Sequence, residues 1–262
     1  AMRLATFNIE NLDLPPKSGR TPAQRAGVLR PALERLDADI VCLQEVNGQH
    51  VPAAPERQLA ALDQLLSGTR YAGYHRASTI AASGKGVSDV HNLVTLSRSP
   101  ILSRREVRHE LVPPAAIAEV TASPRAEAPV AATFERPLLI TEHDLGSNRV
   151  LTVVNLHLRA PLAAAIPGQK RAAFEWRSIG GWAEGFYLSG IKRTGQALEL
   201  RLLVDQMLAR DPALLLAVAG DFNCEDYETP MKIAVGAAED TGNADLAAGS
   251  LVVLDRGLDS DR

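Results

Sequence analysis

The sequence has only two cysteines among its 262 residues, and it has no apolar stretch long enough to cross a bilayer. Two cysteines cannot form the disulfide framework of a small secreted protein, so we expect Cys42 and Cys224 to be reduced thiols, with a single disulfide left open. No signal peptide is visible, because the first predicted strand begins within a few residues of Ala1. We therefore expect a cytoplasmic location. Secretion stays open, since the native N-terminus before Met2 is unclear.

The sequence also lacks an excess of charge of either sign. It has 28 Lys and Arg against 31 Asp and Glu, for a formal net charge of −3. This balance argues neither for nor against a nucleic-acid partner, because a nuclease needs only a local basic surface. The chain is long enough to bury a sizeable core, and we predict one domain over residues 1–262. The oligomeric state is not predicted.

Four short apolar runs in the chain end in polar side chains. They contain the sequences Phe-Asn-Ile-Glu-Asn at 7–11, Leu-Gln-Glu-Val at 43–46, Asn-Leu-His-Leu at 155–158 and Gly-Asp-Phe-Asn at 220–223. Apolar runs of this length with β-branched residues are typical of buried strands. A buried strand gains nothing from a polar end unless that group has a partner or a function. Because the end groups are carboxylates, amides and an imidazole, they suggest one site for a divalent cation and a phosphate.

The remaining patterns predict an α/β protein. Strands are predicted over residues 3–8, 39–44, 92–97, 137–143, 149–157 and 214–219. Helices are predicted from Thr21-Pro22 to about Leu36, over roughly 55–67 and over roughly 194–210. Pro31 is expected to kink or split the first of these helices.

Two long segments show no regular period. Residues 111–136 are rich in Ala and Pro and are predicted to be a surface loop. Residues 160–193 are interpreted as an insertion in which aromatic residues alternate with Lys and Arg. That mixture fits a surface that stacks bases and holds phosphates. The alternative is a small core that packs the segment onto the sheet, and both interpretations stay open.

The four motifs, in this order, resemble the endonuclease/exonuclease/phosphatase superfamily, whose best-known members are deoxyribonuclease-I-like. The resemblance spans roughly residues 2–235 and includes two further runs, from Asn92 to Ile101 and from Arg136 to Leu138. It implies an α/β (α+β) fold of two packed mixed β-sheets flanked by helices, the DNase-I-like four-layer sandwich. The site is then expected where the strand ends of the two sheets meet.

The resemblance implies a role for each motif residue. It makes Glu45 the metal carboxylate and places Asn8 beside it, as a second metal or phosphate contact. Mg²⁺ is the expected cofactor, with Mn²⁺ or Ca²⁺ as alternatives, because hard cations prefer oxygen ligands. Glu10 is either a further ligand or an exposed loop carboxylate, and we favour the loop.

The other motif residues are assigned to catalysis. The resemblance implies that His157 binds the scissile phosphate and stabilises its charge. Asp221 and Asn223 lie two residues apart, so a locally extended backbone puts both on one face, and Gly220 leaves room for a close backbone approach. The resemblance implies that this pair orients the attacking water or aids the leaving oxygen. The other histidines match no site motif and are interpreted as surface or packing residues: His50, His75, His91, His109 and His143.

The family pattern is incomplete at the C-terminal end. The family's site closes with a Leu-Asp-His-type strand and a terminal Ser-Asp-His motif, and neither is present. Asp255 and the sequence Ser260-Asp261-Arg262 are poor matches that we interpret as tail residues. Two sheet strands would then be lacking, so we expect the sequence to be a fragment of a longer protein rather than a member that lost its base.

The leading hypothesis is a divalent-metal-dependent phosphoesterase, in particular a nuclease that hydrolyses phosphodiester bonds by in-line attack of water. A phosphatase or phosphodiesterase of lipid or inositol headgroups is the close alternative. A catalytically silent module that binds phosphate or nucleic acid is the alternative of another class. A purely structural domain is the least favoured hypothesis.

Overall fold

The computed structural model describes residues 2–16 and 19–254. Asp255 and residues 260–262, discussed above as tail residues, lie outside the described residues. The chain divides into two compact units. The first unit takes in Ala1–Val107, Arg136–His157 and Leu214–Asp221, and the second takes in Arg108–Glu135, Leu158–Ala213 and Phe222–Arg262.

The first unit contains two four-stranded mixed sheets. One sheet has the order β1-β2-β4-β3, formed by β1 (Leu4–Leu12), β2 (Ile40–Val46), β3 (His75–Ser78) and β4 (Asn92–Ser97). The other has the order β12-β9-β8-β5, formed by β5 (Ile101–Val107), β8 (Leu138–Asp144), β9 (Val150–His157) and β12 (Leu215–Asp221). The pairs β1–β2 and β12–β9 are parallel and the other pairs are antiparallel. These sheets and their helices confirm the predicted fold class.

Alternation along β2 shows why its apolar run is buried on both faces. Val41 and Leu43 pack into a core with helices α1 (Pro22–Leu36) and α2 (Ala60–Leu66). Ile40 and Cys42 point the other way, into a core shared with residues of β9 and β12. Because successive strand residues face opposite sides, one strand can contribute to both cores. This double burial holds the strand ends of the two sheets close together.

The six predicted strands are all present, and three of them, β1, β2 and β12, extend further into their motifs than predicted. The strands β3 and β5 were not predicted. The middle of β5 carries Ser103, Arg104, Arg105 and Glu106 on a sheet edge, so it has no apolar run to detect. An edge strand needs only one partner and tolerates charged residues.

The helix α1 has the predicted N-cap, since Thr21 and Gln24 form a reciprocal capping box. It runs unbroken through Pro31, so the expected split does not occur. Leu29 and Leu33 on either side of Pro31 are buried in the core, and their packing offsets the missing backbone hydrogen bond. The second helix begins at Ala60 rather than near Pro55, because Gln58 forms an isolated β-bridge with Gln49 that keeps this segment extended.

The second unit is built on one long helix, α3 (Ile179–Arg210). It also contains two short two-stranded ladders, one of β6 (Ala115–Ile117) with β7 (Val130–Ala132) and one of β10 (Lys170–Ala172) with β11 (Glu175–Trp176). Two short helices follow, α4 (Thr229–Val235) and α5 (Ala238–Thr241), together with a 3₁₀ turn over Ala244–Gly249. The buried carboxylate of Glu199 accepts hydrogen bonds from the backbone N–H groups of residues 109–112 and fixes that loop to α3.

Two expectations about the second unit are corrected. Helix α3 begins at Ile179 and not near Thr194, so residues 160–193 are not an irregular insertion throughout. Gly185 shows why the sequence pattern failed, since a Cβ there would lie 2.3 Å from the carbonyl oxygen of Ala164. This glycine breaks the apolar period but permits close packing. Residues 111–136 are mostly irregular, as expected, but they also contain the short strands β6 and β7.

Trp176 supports the small-core interpretation of residues 160–193. It packs against a buried cluster of Ala122, Ala132, Ala164, Ile166 and Leu188.

Both cysteines are thiols, as predicted, with Cys42 buried. No helix in the described ranges is long and apolar enough to cross a membrane.

Candidate active site

Four of the predicted site residues lie together at strand ends of the first unit. Asn8 and Glu45 come from the parallel pair β1–β2, where Asn8 is aligned with Gln44. His157 and Asp221 come from the parallel pair β9–β12, where they are aligned with each other. Parallel strands end at the same edge of a sheet, so each pair delivers two polar side chains to one place.

Asn8 joins the two carboxylates of this cluster. Its amide nitrogen Nδ2 donates to Glu45 Oε1 at 3.2 Å and to Asp221 Oδ2 at 2.9 Å. Glu45 Oε2 also accepts a hydrogen bond from the backbone N–H of Asn11 at 3.0 Å. Two carboxylate oxygens are thereby held on one amide group, with their side chains partly exposed.

The backbone at this edge departs from regular strand geometry. Glu45 has φ 61°, while Glu10 and Asn11 have φ 53° and 49°. The β1–β2 register shifts between Asn8 and Leu12, which identifies an irregularity of the bulge type. Left-handed conformations are unfavourable for residues with a Cβ and tend to occur at functional sites. Here the positive φ of Glu45 interrupts the alternation of side chains along β2 at the end of that strand.

His157 lies beside the two carboxylates and is 2% exposed. Its Nε2 is 3.8 Å from Glu45 Oε1 and 3.7 Å from Asp221 Oδ2, which is beyond hydrogen-bond distance. Burial, together with the positive charge of Arg136, lowers the pKa of His157 to about 4, against the opposing effect of the two carboxylates. The imidazole is therefore neutral at neutral pH, and one of its nitrogens can donate a hydrogen bond.

A buried polar network underneath fixes the strands that carry the cluster. Gln44 Nε2 donates to Asn155 Oδ1 at 2.9 Å, which joins one sheet to the other, and to Thr6 Oγ1 at 3.1 Å within its own sheet. Asn155 Nδ2 in turn donates to the carbonyl oxygens of Val94 and Leu43. Gln44 and Asn155 are fully buried, so these bonds constrain the geometry strongly. Both residues belong to the sequence motifs, but only the structure shows their role.

His91 is the functional-site neighbour that sequence reasoning missed. The sequence predicts a surface or packing residue, but the ring centroid of His91 lies 6.3 Å from that of His157. Its Nδ1 is 3.1 Å from Arg136 Nη2 and its Nε2 is 3.2 Å from Asn11 Oδ1. Because Arg can only donate, Nδ1 is the acceptor and Nε2 carries the proton. The only available signal was the position of His91 directly before the Asn92 run.

Two other motif residues are not part of the cluster formed by the first unit. Glu10 lies within strand β1 and not in a loop, so that part of the favoured interpretation is wrong, but its carboxylate is exposed as expected, 3.7 Å from Arg25 Nη1. Asn223 belongs to the second unit, has φ 51°, and donates from Nδ2 to the carbonyl oxygen of Leu158. Its place beside Asp221 in a shared site stays a prediction.

The donor atoms of the cluster fit a hard divalent cation. The carboxylates of Glu45 and Asp221 both accept hydrogen bonds from the amide of Asn8. Because the His157 ring is neutral, it does not neutralise their negative charge. Among the described residues there is no group of three or more His, Cys, Asp and Glu side chains that could hold a metal ion, as a structural zinc site would need. Mg²⁺ needs only one or two protein carboxylates and keeps several waters, so this donor set is compatible with it.

Gly220 lets β12 approach β9 closely at the entrance to its motif. A Cβ on Gly220 would lie 2.1 Å from the carbonyl oxygen of Leu156. The position therefore requires glycine, and the close approach sets the alignment of Asp221 with His157.

Comparison with known structures identifies the same fold at low sequence identity. A mannosyl-6-phosphatase from Bacteroides thetaiotaomicron matches with a TM-score of 0.52 and 15% identity, over 90% of this chain and 70% of the other. An endonuclease/exonuclease/phosphatase family protein from the same organism gives 0.53 and 15%, over 90% and 68%. A further such protein from Beutenbergia cavernae gives 0.50 and 21%, over 91% and 53%.

No curated protein sequence matches the chain. The sequence model of the endonuclease/exonuclease/phosphatase family matches residues 5–236, which includes every motif residue of the cluster. That match spans most of the chain and agrees with the fold. The chain belongs to the Endonuclease/Exonuclease/phosphatase family, whose members are phosphoester hydrolases.

Proposed function

We propose that this protein is a divalent-metal-dependent phosphoesterase that hydrolyses its substrate by in-line attack of water. The observation that carries the proposal is that Glu45 and Asp221 converge on the amide of Asn8, while His157 Nε2 lies 3.8 Å and 3.7 Å from their carboxylates. Glu45 and Asn8 would hold the cation. When bound, the cation supplies charge neutralisation for the phosphate and its transition state.

The side chains of this chain have separate tasks in the proposed reaction. Neutral His157 donates a hydrogen bond to a phosphate oxygen, since its pKa of about 4 keeps it uncharged at neutral pH. Asp221, held by Asn8, orients the attacking water or assists the leaving oxygen. Asn223 is proposed to hydrogen-bond the transition state.

Glu45→Ala tests the metal requirement. We expect hydrolysis to fall to background in this variant, and to fall equally in the parent protein treated with a chelator. Readdition of Mg²⁺, Mn²⁺ or Ca²⁺ should restore only the parent. Glu10→Ala is the matched control, because Glu10 is a glutamate at the same edge whose carboxylate points into solvent. Full activity of Glu45→Ala, or activity without any divalent cation, would contradict the mechanism.

Nucleic acid is the first substrate class that we propose. The proposal rests on the aromatic and basic residues within 160–193. The structure reduces the number of basic groups open to phosphate there, since Lys170 lies over the Trp176 ring and Arg171 pairs with Glu175. Cleavage of plasmid, single-stranded DNA or RNA would support a nuclease.

Lipid or inositol phosphates are the second candidate class. The observation that favours them is the set of large apolar side chains exposed in the same segment, including Phe174 and Trp182. Hydrolysis of phosphoinositides, with all nucleic acids left intact, would select this candidate. Binding of DNA with Mg²⁺ but no hydrolysis of any substrate would instead identify a catalytically silent binding module. The cytoplasmic location expected from the sequence stays a prediction.

A further inference from the structure

An exposed apolar surface lies on the second unit, within residues 174–187. Phe174 is 94% exposed in the turn of the β10–β11 hairpin, and Ile179 is 85% exposed at the start of α3. Trp182, Phe186 and Tyr187 follow on α3 and are 45%, 40% and 61% exposed. Five large side chains within fourteen residues exceed the scattered exposure that is normal for a soluble surface. We call these five residues the aromatic surface.

The aromatic surface is the outer face of a helix whose inner face is already packed. Ile179, Trp182 and Phe186 recur at positions i, i+3 and i+7, which places them on one side of α3. Gly185 and Leu188 on another side face the small core that contains Trp176. A surface helix ordinarily buries its apolar face and exposes polar residues. At the start of α3 the exposed face is apolar instead, which indicates that this face binds a partner.

The charges around the aromatic surface are mainly positive. Lys170, Arg171 and Arg177 flank it, against two acidic residues: Glu175, which pairs with Arg171, and Glu184, which accepts hydrogen bonds from the backbone of Val120 and Thr121. Lys170 and Arg177 are then the basic side chains that face no ion-pair partner within the described residues of this segment. Tryptophan and tyrosine beside basic side chains are characteristic of protein segments that lie in a lipid–water interface. An anionic lipid surface complements both the apolar centre and the basic surroundings.

Other partners fit the aromatic surface less well. Two copies facing each other would bring the same Arg171 and Arg177 side chains together, which is electrostatically unfavourable. A nucleic acid would need open ring faces, but Trp182 and Phe186 stack on each other at 5.6 Å between centroids. Ile179 and Phe174 offer a nucleic-acid backbone no polar contact. The chemistry of the aromatic surface therefore favours acyl chains over bases, and the support that residues 160–193 give to a nucleic-acid substrate rests on their other residues.

We propose that the aromatic surface attaches this protein to the interface of an anionic lipid bilayer, with Phe174, Ile179 and Trp182 inserted among the acyl chains. This proposal does not depend on the proposed phosphoesterase function. It requires neither a cation in the site nor hydrolysis, so the two can fail separately.

Flotation with vesicles tests the attachment. The protein should float with vesicles of equal parts phosphatidylcholine and phosphatidylglycerol, and less with phosphatidylcholine alone. The double variant Trp182→Ser/Phe186→Ser, and separately Phe174→Ser, should lower the partition coefficient at least about tenfold. Tyr227→Ser, which removes an aromatic residue that is 75% exposed outside this segment, should leave it unchanged. Equal flotation of all variants, or none with the parent, would overturn the proposal.

Tryptophan fluorescence gives a second, residue-specific measurement. The chain has two tryptophans, so Trp176→Phe leaves Trp182 as the single reporter. Its emission should shift to shorter wavelength on addition of anionic vesicles and become protected from an aqueous quencher. Circular dichroism checks that each variant is folded, and Phe174→Ser should fold in any case because the side chain is almost fully exposed. Protection by single-stranded DNA but not by vesicles, or a dimer dissociated by the Trp182→Ser/Phe186→Ser variant, would overturn the lipid assignment.

Discussion

Removal of one negative charge from the cluster should stabilise the metal-free protein and weaken its response to Mg²⁺. Asp221→Asn is the appropriate change, because an asparagine oxygen can still accept the hydrogen bond from Asn8 that the carboxylate accepts at 2.9 Å. The substitution keeps the shape of the side chain and removes its charge. The charge effect can therefore be separated from the loss of this contact.

The magnitude follows from the geometry of Asn8. Glu45 Oε1 and Asp221 Oδ2 both lie within 3.2 Å of its Nδ2, so the two oxygens are at most about 6 Å apart. At an effective dielectric constant of about 20, two like charges at that distance repel by roughly 3 kcal/mol. Both side chains are partly exposed, which screens the repulsion. We expect Asp221→Asn to raise the free energy of unfolding by about 1–2 kcal/mol without metal.

Urea unfolding in a chelator and in Mg²⁺ measures both effects. Mg²⁺ at ten times its dissociation constant should stabilise the parent by about 1.4 kcal/mol and the variant by much less. Asp240→Asn is the control, since its pair with Lys232 is exposed and 3.9 Å long, and it should change little in either condition. If Asp221→Asn destabilises the metal-free protein, or if Mg²⁺ stabilises it as much as the parent, the electrostatic argument is wrong.

Three further predictions test the supports of the site. Asn155→Ala should lower the free energy of unfolding by about 3 kcal/mol and reduce hydrolysis, because it leaves buried polar partners unsatisfied; urea unfolding and initial rates measure this. Gly220→Ala should cost about 2 kcal/mol in the same unfolding assay, since its Cβ would collide with Leu156, and near-parental stability would refute the close approach. His143 and His157 are buried with pKa values lowered from 6.5 to about 4, so the unfolded chain takes up protons first as pH falls. The free energy of unfolding at pH 5 should therefore be about 1.6 kcal/mol lower per histidine than at pH 6.5, and His143→Gln should remove its share.

The strand content of the first unit was predictable because burial on both faces produces continuous apolar runs. β2 is the clearest case, since Ile40 to Leu43 feed two different cores. The charged edge strand β5 and the early start of α3 at Ile179 were not predictable in the same way. Their residues serve partners that are distant in the sequence, as Gly185 does against Ala164.

The sequence by itself determined the family and named the side chains that form the candidate site, because four short motifs carry a characteristic set of oxygen and nitrogen donors at strand ends. It could not determine distances, since Asn8 and Asp221 are separated by 213 positions. Only the tertiary structure showed that one amide joins two carboxylates and that Gln44 and Asn155 connect the sheets beneath them. It also revealed His91 beside His157. The physical reason is that burial and charge depend on which strands pack together, and no local pattern records that packing.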